Sequence, residues 1–284
     1  MQNTDIFSTI HTTYNSFTNT EKKVADQVIK NRTQVIYMSI TDLADRCGVG
    51  ESSIFRFCKT LGFKGYQEFK IAMAHSLNSE EETPQIDKEI LRNDSLEELS
   101  AKVKNTNISA LDETHSLIDY SNLDKAVSLL VAADRIRFFG VGASLITAME
   151  GYNKFLRITN KSEFTVDQHL QAMTASLMTD RDVAVIISYS GSTKDTIEVA
   201  RAVKEAGAKT ICITRFVKSP LTAYSDITLL CGANEGPLQG GSLSAKIAQL
   251  YLLDVLYFEY FKRTFDISVA NKEKTAKAVV EKLL

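Results

Sequence analysis

The chain has 284 residues, of which 44% are hydrophobic and 24% are charged, and its formal net charge is −2. These values exclude a disordered, collagen-like or disulfide-scaffold protein. The four cysteines lie far apart, so we expect a reducing cytoplasm and no structural metal site. The first residues lack a signal-peptide pattern, and polar residues interrupt the apolar stretch 247–261, so we expect neither export nor a membrane span.

Charge is distributed unevenly along the chain. Residues 1–77 hold nine Lys and Arg against seven Asp and Glu, residues 78–121 hold four against eleven, and residues 122–284 hold twenty against seventeen. A run of three glutamates at 80–82 is typical of an exposed, charged connection. The sequence therefore predicts a first domain at 1–77, an acidic linker with a connecting helix at 78–121, and a second domain at 122–284.

The first domain contains no proline and no alternating apolar run, which predicts an all-α bundle. We expect Asn19 or Thr20 to cap a helix that runs to about Asn31, and a further short helix at 39–46. A turn containing two glycines follows this helix, and a second short helix begins after Gly50. Two short helices joined by such a turn predict a helix-turn-helix unit.

Three apolar residues fit the packing that this unit needs. Ala44 is small enough for the helix crossing, Val49 fits the apolar plug of the turn, and Ile54 fits the inward face of the second helix. In such units the second helix enters the major groove of double-stranded DNA. A plain helical bundle with a solvated polar face is the alternative. The outward positions, which are the candidate DNA contacts, are Glu51, Ser52, Ser53, Phe55, Arg56 and Lys59.

The second domain alternates short apolar runs with helical stretches, which predicts a parallel sheet covered on both faces. The expected strands are 135–139, 162–166, 182–187, 210–214 and 227–230. The expected helices are 143–158, 167–178, 194–206 and 244–261.

Two polar loops, at 140–144 and 188–193, follow predicted strands and open predicted helices. Ligands of parallel sheets bind at the carboxyl ends of strands, and helix N-terminal amides with hydroxyls suit a phosphate dianion. Leu145 stands where a dinucleotide fingerprint needs its third glycine, so no such cofactor is expected. Alternatively, the hydroxyls are only helix caps.

The motif Ser188-x-Ser190-Gly191-x-Thr193 after a buried strand resembles the sugar-isomerase (SIS) domain. Gly-Phe-Lys-Gly-Tyr at 62–66, after the second short helix, makes residues 1–77 resemble the N-terminal domain of RpiR/MurR-type transcriptional regulators. That family joins the two modules in this order. The resemblance implies an all-α helix-turn-helix bundle followed by an α/β SIS domain with a five-stranded parallel sheet. It also implies a DNA-binding regulator of carbohydrate metabolism whose sugar-phosphate effector modulates operator binding.

The resemblance also assigns effector-binding residues. Lys246 stands where these regulators more often have arginine, and Gly50 replaces the usual serine cap. The residues expected to hold the phosphate are Gly142, Ser144, Ser188, Ser190, Gly191 and Thr193, and those expected to reach the sugar are Glu235 and Lys246.

SIS domains also occur in isomerases, so a sugar-phosphate isomerase is the alternative function. Isomerisation needs a base beside a second acid or base, and His169 and Glu235 are the candidates without a defined partner. We therefore expect a regulator that is not an enzyme and uses no cofactor. Two operator half-sites would require a homodimer or a larger homo-oligomer. The apolar faces of 94–120 and 269–284 would support association, or pack within one subunit.

Overall fold

The computed structural model describes residues 6–79, 91, 93–233, 235–237 and 243–280. The chain divides into two compact units. The first takes in the described residues up to Thr106 and those of segment 234–240, and the second takes in the rest. The glutamate run at 80–82 lies outside the described residues. The division of the chain at 77 and 121 stays a prediction.

The first unit is helical. A shared core holds together the helices between residues 6 and 79, with the rings of Phe57 and Phe69 edge to face at a centroid distance of 5.6 Å. Its elements, including the helix that crosses the boundary at Thr106, are α1 (Ile6–Thr13), a 3₁₀ turn (Tyr14–Ser16), α2 (Asn19–Lys30), α3 (Arg32–Val35), α4 (Ile40–Cys47), α5 (Glu51–Thr60), α6 (Tyr66–Ser79) and α7 (Leu96–Ser116).

Capping boxes start α2 and α4. Thr18 and Glu21 satisfy each other's backbone amides at the start of α2. The expectation that Asn19 or Thr20 caps this helix is therefore wrong, because the cap lies one residue before Asn19. At α4 the cap is Ser39, whose hydroxyl accepts a hydrogen bond from the amide of Asp42 at 3.0 Å.

The helix-turn-helix unit is confirmed in α4, the turn after Cys47, and α5. Ala44 and Ile54 are buried, as the crossing of two short helices requires. Val49 packs against the core, and its amide donates to the carbonyl of Ala44 at 3.0 Å. Gly50 caps α5 through its extended backbone, without a side-chain hydrogen bond.

The second unit is a five-stranded parallel sheet in the order β2-β1-β3-β4-β5, as the resemblance implied. Its strands are β1 (Arg135–Gly140), β2 (Ser162–Phe164), β3 (Asp182–Ile187), β4 (Lys209–Thr214) and β5 (Ile227–Leu230). Its remaining elements are α8 (Tyr120–Ala132), α9 (Ala143–Leu156), α10 (Gln168–Ser176), α11 (Lys194–Glu205), a 3₁₀ turn (Thr222–Tyr224), α12 (Ser244–Arg263) and α13 (Phe265–Val280).

Alternate residues of the central strands enter two separate cores. In β3, Val185 faces the core formed with α8, α9 and α12, and Ile186 faces the core formed with α10 and α11. All six residues of β3 are buried, as expected for a strand covered on both faces. Element ends differ from the sequence prediction by up to two residues. The β2 strand, for example, stops at Phe164, and Asp167 caps α10 instead of starting it.

Three general features complete the fold. Cys47, Cys58, Cys212 and Cys231 are not joined by disulfide bonds, and burial raises the pKa of Cys58 and Cys212 to about 12. Within the described ranges, no cluster of three or more His, Cys, Asp or Glu side chains is arranged to hold a metal ion. None of the described helices has the length and hydropathy needed to traverse a lipid bilayer.

Candidate functional site

Helix α5 has one buried face and one exposed face. Ile54, Phe57 and Cys58 are fully buried. Four of the six candidate DNA contacts share the exposed face, spaced at i, i+3, i+4 and i+7: they are Ser52, Phe55, Arg56 and Lys59. These side chains are presented together to solvent, as a helix that enters a groove requires.

The other two candidates on α5 lie differently. Ser53 is only 8% exposed, so the expectation that it faces outward is wrong. It shares the inward face with Phe57, four residues further on, because the helix period turns both toward the core. Glu51 is half-buried and accepts a hydrogen bond from the hydroxyl of Thr41 in α4. It therefore ties the two helices together at the start of α5.

Arg56 is oriented by neighbours from two helices. Its Nη2 donates to Ser53 Oγ at 3.3 Å. Partial burial raises the pKa of the nearby Glu21 carboxyl. Hydrogen bonds from Thr60 and Thr18, together with the charge of Arg56, lower this pKa by more, so that it lies below its usual value. Ser53 and Glu21 thus restrict where the Arg56 guanidinium points.

The loop after β1 is the first part of the candidate anion site. A Cβ on residue 140 would lie 2.6 Å from the carbonyl oxygen of Ser144, so only glycine permits this close turn. Gly142 occupies the cap position of α9, and Ser144 lies half-buried in the first turn of that helix. The side-chain amide of Gln171 donates from Nε2 to the Gly140 carbonyl at 3.1 Å and fixes the loop from α10.

The loop after β3 lies beside it, since β1 and β3 are hydrogen-bonded neighbours running in parallel. Ser188 is buried, and Ser190 Oγ accepts a hydrogen bond from the amide of Ser192 at 3.2 Å. Thr193 occupies the cap position of α11, but its hydroxyl makes no capping hydrogen bond to the described first turn of that helix. The alternative that this threonine serves only as a cap therefore has no support from the structure.

Residues after β4 complete the same edge, and the sequence prediction did not include them. Gly191 has φ of 59°, and a Cβ there would lie 2.6 Å from the Cβ of Ser219. The amide of Leu221 donates to the Gly191 carbonyl at 2.9 Å, and Thr214 Oγ1 donates to the Tyr189 carbonyl at 3.2 Å. The sequence signal that could have predicted this part of the site is the presence of hydroxyl residues after β4, a third parallel strand.

A further set of contacts joins the loops after β3, β4 and β5 to helix α7. Tyr189 Oη donates to the carbonyl of Ala233 at 2.8 Å, and the amide of Ala233 donates to Glu113 Oε2 at 2.9 Å. Arg215 Nη2 lies 2.8 Å from Glu113 Oε1. We call these contacts among Glu113, Tyr189, Arg215 and Ala233 the α7 clamp.

The α7 clamp is tightly built. A Cβ on Gly232 would lie 2.7 Å from the backbone nitrogen of Thr114 in α7, and the Gly232 amide donates to the hydroxyl of the same threonine. Among the described residues, Ala233 is the non-glycine residue with a positive φ, 87°. Such backbone strain persists only where surrounding contacts enforce it. The clamp therefore fixes the C-terminal half of α7 to the end of the sheet that carries the loops 140–144 and 188–193, the candidate phosphate loops.

The other predicted site residues do not belong to the loops 140–144 and 188–193. Lys246 is half-buried in the first turn of α12, in the second unit. Glu235 is buried and its segment, 234–240, groups with the first unit, so its assignment to the sugar stays a prediction. His169, the candidate base, is exposed in the first turn of α10.

Comparison with known proteins agrees with this architecture. Residues 4–80 match the helix-turn-helix domain of the rpiR family, and residues 129–258 match the SIS domain. An uncharacterised HTH-type transcriptional regulator of Haemophilus influenzae is 34% identical over 98% of this chain and 97% of its own length. The HTH-type transcriptional regulator HexR of Pseudomonas aeruginosa is 35% identical over 83% of this chain and 82% of its own.

A solved structure extends the comparison to nearly the whole chain. The Vibrio vulnificus NanR protein, solved in complex with ManNAc-6P, matches with a TM-score of 0.87 and 28% identity, covering 98% of this chain and 99% of NanR. The resemblance stated from the sequence is thereby confirmed. The chain belongs to the HTH-type transcriptional regulators that combine an rpiR-family helix-turn-helix domain with a SIS domain.

Proposed function

We propose that the chain is a transcriptional regulator of carbohydrate metabolism that binds operator DNA through α5 and a sugar phosphate at the sheet edge. The observation that carries the effector proposal is the pair of glycine turns at 140–144 and 188–193. They end neighbouring parallel strands and open α9 and α11, an arrangement that suits the binding of one anion by helix N-terminal amides and hydroxyls. The complex of NanR with ManNAc-6P supports this ligand class.

The proposed effector contacts are the hydroxyls of Ser144, Ser188, Ser190 and Thr193, with Gly142 and Gly191 allowing close backbone approach. Ser219 is added to this set because it lies directly against Gly191. We assign Lys246 and Glu235 to the sugar, the first through its charge and the second through its carboxylate. These assignments rest on the family pattern.

The proposed operator contacts are those on the exposed face of α5. Arg56 reaches a guanine edge or a phosphate, and Lys59, one turn further on, reaches a phosphate. Two half-sites one DNA turn apart require at least a homodimer. Exposed apolar side chains support the two association surfaces suggested by the sequence: they are Leu96, Val103 and Ile108 on α7, and Val279 and Val280 on α13. A regulator of this kind acts in the cytoplasm, on chromosomal DNA.

Effector occupancy reaches the DNA-binding part through the α7 clamp. Tyr189 belongs to the phosphate loop itself, and its hydroxyl holds the strained Ala233 beside Glu113. A phosphate that shifts the loop changes these contacts and so the position of α7. Helix α7 begins at Leu96 in the first unit, so it offers a continuous path for the change. A ligand preferring one arrangement shifts the population toward it.

An isomerase is the second function to consider, because the same fold occurs among isomerases. The candidate bases do not favour it. Isomerisation needs a base beside a second acid or base, and His169 is exposed in the first turn of α10. We therefore propose binding without turnover.

The test begins with a thermal-shift screen of the full chain against sugar phosphates, with the matching free sugars as controls. A ligand that binds only the native state raises the melting temperature. Duplexes selected by the chain from random DNA then serve as the operator. We expect at least one sugar phosphate to raise the melting temperature and to change operator affinity.

The variant Ser190→Ala with Thr193→Ala separates the two functions. It is expected to bind the selected operator normally but to lose the thermal shift and the response to the sugar phosphate. Ser176→Ala, at an exposed position at the end of α10, is the matched control. Absence of any thermal shift, or turnover of a ketose phosphate into an aldose phosphate, would contradict the proposal.

A further inference from the structure

The exposed face of α5 has an aromatic side chain near its centre. Phe55 is 44% exposed, although the neighbouring phenylalanine of the same helix, Phe57, is fully buried. It lies three residues after Ser52 and four before Lys59, on the same face as both. A phenyl ring in this position has no role in the core described above.

The Phe55 ring is held in place by its surroundings. A Cβ on Gly65 would lie 3.4 Å from Phe55 Cε2, so the ring lies directly over the backbone that leads into α6. The ammonium group of Lys59 lies 5.4 Å from the ring centroid, within range of a cation–π contact. The ring is therefore positioned before any ligand binds, which lowers the entropy lost on binding.

The major groove offers a matching apolar group. Base edges there present hydrogen-bond donors and acceptors, together with the 5-methyl group of thymine, which apolar side chains contact. We propose that Phe55 recognises the 5-methyl group of a pyrimidine, so that each operator half-site carries a thymine opposite this ring. The inference rests on the proposed binding of DNA through α5 and adds a sequence feature of the operator.

The charged side chains on either side of Phe55 favour contact with DNA over contact with a protein partner. Arg56 and Lys59 flank the ring with two positive charges, which suits a phosphate backbone running past an apolar base edge. Ser52, at the start of the helix, is short and permits close approach to the bases.

Deoxyuridine lacks only the 5-methyl group of thymine, so it tests the inference directly. Each thymine of a selected operator half-site is replaced in turn by deoxyuridine, and binding is measured for the wild type, Phe55→Ala and Phe55→Leu. We expect one position at which replacement weakens wild-type binding about threefold to tenfold. Phe55→Ala should lose this sensitivity, and Phe55→Leu, which keeps an apolar contact, should retain part of it.

A second arm reverses the substitution. Cytosine at the sensitive position should bind the wild type more weakly than 5-methylcytosine, with no difference for Phe55→Ala. The thermal stability of each variant reports whether it is folded. Specific binding by the wild type without sensitivity to any replacement, or equal sensitivity in Phe55→Ala, would overturn the inference and leave DNA binding intact. Absence of any selected duplex would overturn the proposed function and this inference together.

Discussion

The two units present their candidate sites in different ways. In the first unit the site is a convex helix face, formed by the ends of exposed side chains on α5. In the second unit it is a concave edge, formed by backbone turns at Gly140 and Gly191, where a Cβ would collide with neighbouring atoms. One site therefore depends on which side chains point outward, and the other on how closely the backbone folds.

The difference predicts how each site tolerates change. Truncating an exposed side chain on α5 removes a contact but leaves the core beneath it, so folding should be preserved. Adding a single carbon at the sheet edge disturbs the loop itself, so stability and ligand binding should fail together.

Gly191→Ala should have the largest effect. The residue has φ of 59°, and the new Cβ would meet Ser219 Cβ at 2.6 Å, so strain and overlap together should cost about 3 kcal/mol of unfolding free energy. Denaturant unfolding would measure the loss of stability, and the thermal-shift assay would measure the loss of sugar-phosphate binding. Gly207→Ala is the control, with φ of 81° and open space around the new carbon, and should cost only about 1 kcal/mol. Equal costs at the two positions would show that Ser219 does not crowd the loop.

Arg56→Ala should come next. It removes an exposed guanidinium from α5 and should weaken operator binding roughly tenfold to a hundredfold, or about 1–3 kcal/mol. Binding of the sugar phosphate and thermal stability should stay near the wild-type values. Arg201→Ala, at an exposed position on α11, is the control. Unchanged operator affinity at matched salt would mean that α5 is not the reading helix.

Tyr189→Phe tests the α7 clamp with a smaller effect. The change removes only the hydrogen bond to the Ala233 carbonyl, so sugar-phosphate and operator binding should each stay close to normal. The factor by which the effector changes operator affinity should fall about fivefold, because one hydrogen bond contributes about 1 kcal/mol and this energy corresponds to a factor of about five. Tyr224→Phe serves as the control. A full effector response in Tyr189→Phe would remove the clamp from the coupling path.

The smallest effect concerns Lys70, in the core of the first unit. Burial lowers the pKa of this ammonium group from 10.5 to about 8, although Asp42 opposes the change, and its Nζ donates to the Met38 carbonyl at 3.1 Å. Unfolding therefore takes up a proton above pH 8, and the contribution of Lys70 to unfolding free energy rises with pH between about 8 and 10.5. From pH 7.5 to 8.5 the rise should be about 0.7 kcal/mol.

Comparing the wild type with Lys70→Met isolates the contribution of Lys70 to the pH dependence of the unfolding free energy, because other titrating groups contribute equally to both proteins. The wild type should gain stability relative to the variant as the pH rises through this window. A constant difference between the two proteins would show that Lys70 keeps an ordinary pKa in the folded state.

The sequence predicted the regular elements well because their signals are local. The run 183–187 is continuously apolar, and β3 forms with the predicted bounds, 182–187. The helix-turn-helix unit followed from a short turn and three apolar positions, and Ala44, Val49 and Ile54 take the predicted places. Sequence patterns were sufficient to predict element bounds and buried positions where these depend on a single helix or strand.

The errors and omissions arise where distant segments meet. Ser53 was placed outward by its polarity, but the helix period turns it inward beside Phe57. Ser219 lies 28 positions after Gly191, and only the pairing of β3 with β4 brings them together. The α7 clamp joins Glu113 to Ala233, which no local pattern connects. Contacts of this kind depend on the finished fold.

In the proposed function, occupancy of the phosphate loops and operator binding are linked. Titration of the selected sugar phosphate into the chain, with and without saturating operator, tests this most directly. Linkage requires that operator change effector affinity by the same factor by which effector changes operator affinity. We expect equal factors of at least fivefold in the wild type. Identical effector affinity in the presence and absence of operator would contradict it.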